Sequence, residues 1–114
     1  MANLADRDIQ PPRGGDTPPL SGEPLETFQR ELDPGWSTID GHHLERNYAF
    51  TNFKDALEFT IQLGELADAA DHHPEICLSW GSARVTIWTH SIGGLSEADF
   101  VLAAKADRIY SISG

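Results

Sequence analysis

Several large classes of protein are ruled out by what this chain has little of. Cys77 is the single cysteine among 114 residues, so no intrachain disulfide can form and nothing requires an oxidising compartment. Only eight Lys and Arg stand against eighteen Asp and Glu, a formal charge of −10, and no two basic residues are adjacent. Such a surface repels phosphate backbones, and without a basic patch direct nucleic-acid binding is not expected. No apolar run approaches the ~20 residues that span a bilayer, and the N-terminus lacks a signal peptide's basic-then-apolar order. No membrane partner is therefore expected, and the cytoplasm is the expected location. Gly-x-Ser-x-Gly is absent, Gly14-Gly15 lies among prolines, and no Lys follows Gly93-Gly94, so neither a nucleophile elbow nor a phosphate loop is supported.

At this length the chain is one small domain, which argues against a two-domain enzyme. Five of its seven prolines fall in the first 24 residues, at Pro11, Pro12, Pro18, Pro19 and Pro24. Together with Gly14, Gly15 and Gly22 they exclude a helix interior or central strand. Residues 1–20 are expected as an extended or disordered arm, with the domain at 21–114. A core of that size is small enough that association with copies of itself would supplement it.

The remainder alternates between two hydrophobic periods. Leu25, Phe28 and Leu32 follow Ser21 at helical spacing, and Asp33-Pro34-Gly35 ends that helix. Trp36 to Asp40 and His43 to Phe50 read as strands about a turn at Gly41. Ala56, Phe59, Leu63, Leu66 and Ala70 then step by three and four, the stripe of a helix capped by Thr51 or Asn52. Ile76, Leu78 and Trp80 alternate as a strand, Gly81-Ser82 turns, and Arg84 to His90 returns with Val85 and Ile87 on one face. Ser96 and Asp99 form a capping-box-like start to a last helix carrying Ala98, Val101, Leu102 and Ile109. The order α-β-β-α-β-β-α predicts an α+β fold: a four-stranded, mainly antiparallel sheet with helices packed on one face.

Placement of the histidines is the most informative feature. His72 and His73 sit just past the long helix, before Pro74, whose ring biases His73 toward extended geometry. His90 ends the last strand ahead of a flexible turn. Imidazole titrates near pH ~6.5, so two of them facing one substrate can protonate a leaving hydroxyl and accept a proton elsewhere, which suits a dehydration. A carboxylate on a ring nitrogen would set the tautomer, and Asp68, Asp71, Glu75 and Asp99 are near in sequence. The bland alternative is that His-His-Pro is an ordinary polar connection. A zinc site is a second reading, weakened because adjacent residues of an extended segment diverge. His42 and His43 flank a turn and read as solvent-exposed. Trp36, Trp80 and Trp88 read as core or interface residues, with Trp80 able to wall an aromatic pocket, and Cys77 as a small packing residue.

Asp68, His72-His73-Pro74, Trp80, His90 and Asp99 together resemble the signature of the pterin-4a-carbinolamine dehydratase family. Every spacing fits: three residues between the acid and His-His-Pro, five more to the aromatic, nine more to the next His. Trp36, Phe50-Thr51-Asn52-Phe53, Thr89-His90 and Gly93-Gly94-Leu95-Ser96 agree as well, so the likeness covers about residues 20–110. It departs from the pattern at Ile76, where many members have Trp, at Trp80, where many have Tyr, and at Asp68, where Glu is common.

The resemblance implies removal of water from 4a-hydroxytetrahydropterin to give quinonoid dihydropterin, in tetrahydrobiopterin recycling, with no metal or organic cofactor. Carried over by position, His72 and His90 would be the catalytic acid/base pair acting on the C4a hydroxyl and a ring-nitrogen proton. His73 would join them mainly by binding the pterin. Asp68 and Asp99 would orient imidazoles or the ring, while Pro74, Thr89, Ser91, Ile92 and Trp80 would lie along the substrate. The resemblance also implies a homodimer or homotetramer. A rival of another class is a non-catalytic assembly or dimerisation factor on the same fold, like relatives that support a transcription factor's dimerisation or assist assembly of the carbon-fixing enzyme. That role does not require the histidines, and their complete presence favours the enzyme.

Overall fold

Two antiparallel hairpins, each too small to be stable alone, share a helical cover. In the computed structural model, which describes residues 3–12 and 17–113, α1 spans Gly22–Glu31, β1 Ser37–Ile39, β2 His43–Ala49, α2 Phe53–Ala69, β3 Glu75–Ser79, β4 Ser82–Ile87 and α3 Glu97–Ser113. The strands form one antiparallel sheet in the order β1-β2-β4-β3, so the two hairpins meet along β2 and β4. Asp40 and Gly41 turn the first hairpin with positive φ (55° and 67°), the backbone a tight hairpin's mirror-image turn demands.

Alternation along the strands gives the sheet two unlike faces. Leu44, Tyr48, Ala83, Val85 and Ile87 are fully buried against α2 and α3, whose Phe59, Leu63, Val101 and Leu102 complete the core. Arg84 and Cys77 point the other way and are exposed. The expected element order and α+β class are those observed. Cys77 is not the packing residue the sequence suggests, because Ile76 and Leu78 take the core side of β3 and leave it outside.

Of the arm, Gly14-Gly15 and the rest of residues 13–16 lie outside the described residues, as do residues 1 and 2. Its described part is irregular except for a 3-10 turn at Leu4–Asp6. It is anchored to the domain rather than loose: Leu4 and Ala5 are buried, Lys105 Nζ donates to the Ala5 carbonyl (2.9 Å), and Arg108 pairs with Asp6 (2.8 Å).

Away from the histidines, Asp107 ties α3 to the first hairpin. Its carboxylate accepts from Trp36 Nε1 (3.0 Å), Arg46 Nη1 (2.9 Å) and the Tyr48 hydroxyl (2.5 Å). Burial lifts this carboxyl above its ordinary 3.8, and hydrogen bonds from Tyr48 and the Arg46 charge pull it partly back. Burial, then the Asp107 charge, push the Tyr48 hydroxyl upward.

Asp107→Ala strips three donors of their acceptor and is expected to cost about 2–4 kcal/mol in urea unfolding. A carboxyl raised by folding holds a proton that the unfolded chain has released, so from about pH 3.8 upward to its raised value its contribution to stability falls as pH rises. Asp107→Asn should remove that descending leg from the pH–stability profile.

Candidate active site

The site begins at the end of α2. Asp71 there takes a left-handed φ of 54°, its N–H donates to the Asp68 carbonyl (3.1 Å), and His72 N–H donates to the Ala67 carbonyl (3.1 Å). This pair of bonds is a Schellman termination, with aspartate in the place usually taken by glycine. It turns the chain sharply enough to direct His72 inward, where the residue is only 6% exposed, while His73 stays on the surface.

The second contribution comes from the segment after β4. Here the structure departs from the strand expected up to His90: β4 stops at Ile87, and His90–Ile92 form a 3-10 turn closed by Gly93 at φ 63°. Thr89 and Gly94 bridge across the base of this loop, with Thr89 N–H donating to the Gly94 carbonyl (2.8 Å). His90 is thereby thrown out of the sheet and stacks on Trp88, with ring centroids 4.1 Å apart and planes 11° from parallel.

Asp99, in the first turn of α3, joins the two contributions. One carboxylate oxygen lies 2.6 Å from His72 Nε2. The other accepts from the Thr89 hydroxyl (2.8 Å) and the Ser96 backbone N–H (2.8 Å), the latter being half of the capping box expected from Ser96 and Asp99. Asp99 is completely buried. A carboxylate offers only acceptors to a ring nitrogen, so this contact favours the tautomer in which His72 donates from Nε2 and leaves Nδ1 to the cavity side. On the surface, Asp68 pairs with His73 in the same manner, Oδ1 to Nε2 at 3.0 Å.

The three histidines face an open cavity of about 310 Å³, at the small end of ligand sites and sized for a compact ring system. Asp71, His72 and His73 line it from the α2–β3 connection, and Trp88, Thr89, His90 and Ser91 line it from the end of β4. Pro11 and Pro12 of the arm complete the lining. Thr89 has its hydroxyl committed to Asp99, so it serves the site by holding that carboxylate.

Not every expected residue is there. Trp80, expected along the substrate, sits in the β3–β4 turn, 69% exposed. The cavity lies at the other end of these strands, some five residues away or roughly 16 Å. Pro74 and Ile92 are half-buried next to lining residues without lining the cavity. His42 and His43 are half-buried rather than solvent-exposed, because both rings pack against Trp88 at 5.5 and 5.9 Å. Trp88 and the two arm prolines were missed, while Asp71, noted only as a carboxylate near the histidines in sequence, lines the cavity. Trp88 carried a usable signal, standing two residues before His90 and so on the same side of an extended chain. Among the described residues, no three His, Cys, Asp or Glu side chains converge to hold a metal ion.

A small α+β domain that gathers three imidazoles and a buried carboxylate at one cavity defines the class. The model of the pterin 4 alpha carbinolamine dehydratase family matches residues 18–109, and the chain belongs to that family. A relative from Rubrobacter xylanophilus is 51% identical, covering 96% of this chain and all of its own length, and one from Alkaliphilus metalliredigens is 47% identical over 95% of this chain and 96% of its own. Both bear the name "Putative pterin-4-alpha-carbinolamine dehydratase". The crystal structure of a transcriptional coactivator/pterin dehydratase from Brucella melitensis superposes with a TM-score of 0.75 at 33% identity, covering 81% of this chain and 98% of that one.

Removing the buried carboxylate should affect both stability and tautomer. Asp99→Ala is expected to cost about 2–4 kcal/mol, since it orphans donors on three segments. In ¹⁵N NMR of the wild type, His72 is expected as the Nε2–H tautomer; in Asp99→Asn that preference should weaken.

Proposed function

We propose that this chain dehydrates 4a-hydroxytetrahydropterin to quinonoid dihydropterin, acting in tetrahydrobiopterin recycling in the cytoplasm. The reaction breaks the C4a–O bond, releases the hydroxyl as water after it takes up a proton, and forms a C=N bond as a ring nitrogen gives up its proton. Nothing is oxidised or reduced, so two groups able to exchange protons near neutral pH suffice, without metal or organic cofactor. His72 and His90 are that pair, one on each of the two segments that build the cavity. His73, held by Asp68, binds the ring, and Asp99 keeps His72 in one tautomer. Ser91 lies along the substrate, and Pro74 and Ile92 support the lining residues next to them. The observation that carries this proposal is the convergence of all three imidazoles on one cavity, with His72 clamped by a buried carboxylate.

The test is a coupled assay in which an aromatic amino acid hydroxylase generates the carbinolamine and product formation is followed optically. Wild type should accelerate it, and His72→Ala or His90→Ala should each lower kcat by roughly 10²–10⁴-fold. His73→Ala should raise KM more than it lowers kcat. A folded wild type that gives no acceleration would leave the non-catalytic assembly role, to which the coactivator half of the Brucella relative's name points.

Self-association accompanies the proposal, as a homodimer or homotetramer. Phe53, Leu57 and Ile61 stand exposed at four-residue spacing along α2, an apolar stripe uncovered in the single chain. Sedimentation equilibrium should give a homo-oligomer, and Leu57→Glu with Ile61→Glu should shift it toward monomer.

A further inference from the structure

Pro11 and Pro12 of the arm have no titratable side-chain group and no place in the chemistry above, yet they line its cavity. We propose that Pro11 and Pro12 are substrate-contacting residues: the N-terminal arm is a wall of the pterin site and governs how tightly, and which, ring substituents are held. This rests on the dehydratase proposal and extends its site to a segment some 60 residues from the nearest histidine of the pair.

Three observations support it. First, the arm is fixed on both sides of the prolines. Before them, Leu4 and Ala5 are buried on α3, where Lys105 and Arg108 bind Ala5 and Asp6, and Arg7 pairs with Glu97 (3.2 Å). After them, Leu20 N–H donates to the Leu95 carbonyl (2.8 Å). Second, the arm touches the loop that carries His90. A Cβ placed on Gly94 would come within 2.7 Å of Pro19 Cβ, so only glycine permits that approach. Gly94 also closes the base of the loop through Thr89.

Third, the chemistry of the wall suits its position. The rest of the lining is ionisable, hydroxylic or aromatic, and two successive pyrrolidine rings add a rigid apolar surface that offers no N–H to a polar ring edge. With φ already restricted, such a surface loses little freedom when a ligand is held against it. It therefore contributes to binding and to selection by shape, while proton transfer stays with the imidazoles.

The experiment compares full-length wild type with Pro11→Gly/Pro12→Gly, using the coupled assay for kcat and KM and calorimetric titration with 7,8-dihydrobiopterin for binding alone. Removing these contacts should raise both KM and the 7,8-dihydrobiopterin Kd by roughly tenfold, with kcat changed less than about twofold. Leu4→Asp, which unfastens the arm at its buried anchor, should reproduce the rise in Kd. Exposed Asp8→Ala should leave it unchanged, and thermal melts confirm that each variant is folded. If wild type binds and turns over but the double proline variant matches it in KM and Kd, the arm is not part of the site. If wild type neither binds 7,8-dihydrobiopterin nor accelerates dehydration, the dehydratase proposal fails and takes this one with it.

Discussion

Everything around the cavity hangs on one buried carboxylate. Asp99 has no exposed surface, and its two oxygens are shared among the α2–β3 connection through His72, the end of β4 through Thr89, and the start of α3 through Ser96. A carboxylate taken out of water is costly unless donors surround it, so its position is tolerable only when all three segments are in place. The same demand that makes Asp99 expensive makes it a register mark. It fixes the rotation of α3, the depth of His72 and the course of the loop bearing His90 together. One constraint thus serves fold and site at once.

Two kinds of histidine result. His72 is immobilised in the interior with one nitrogen engaged, whereas His90 rides on a surface turn and is steadied by the face of Trp88. For the dehydration proposed above, such unlike members would suit a proton-exchanging pair: the first has a defined geometry, and the second stays in contact with solvent. The second His-carboxylate contact, between His73 and Asp68, repeats the pairing at the surface, where water screens it and it acts by orientation more than by energy.

The strands, helices and their order were legible because hydrophobic periodicity switches cleanly between two and 3.6, and Gly, Pro and Asp mark the turns. Asp68 and Asp99 could be named as orienting residues from the family resemblance, but which histidine each one holds came only from the structure. What escaped was set by tertiary geometry. Trp80 is an aromatic at the signature spacing, but the hairpin turn carries it a strand's length from the cavity. His90 left the strand because the Thr89–Gly94 bridge closes a loop that no local propensity specifies. Asp71 adopts a backbone that sequence statistics would assign to glycine, and Asp107 organises Trp36, Arg46 and Tyr48 from positions far apart in the chain. The composition of the arm said nothing of the 3-10 turn at Leu4–Asp6 or of the contacts that pin it down, and α1 starts early enough to take in Gly22 and Pro24.

Those contacts also set an order of events in the making of the molecule. Arg7 meets Glu97 across 90 residues, and the Ala5 and Asp6 contacts to Lys105 and Arg108 close loops of 100 and 102 residues. At a ribosome, none of them can form until α3 has emerged, long after the arm itself has been synthesised. Closing loops of that length also makes them late steps in refolding from denaturant, after the sheet and its helices have condensed. The histidine scaffold therefore assembles first, and the proline wall comes down over it last.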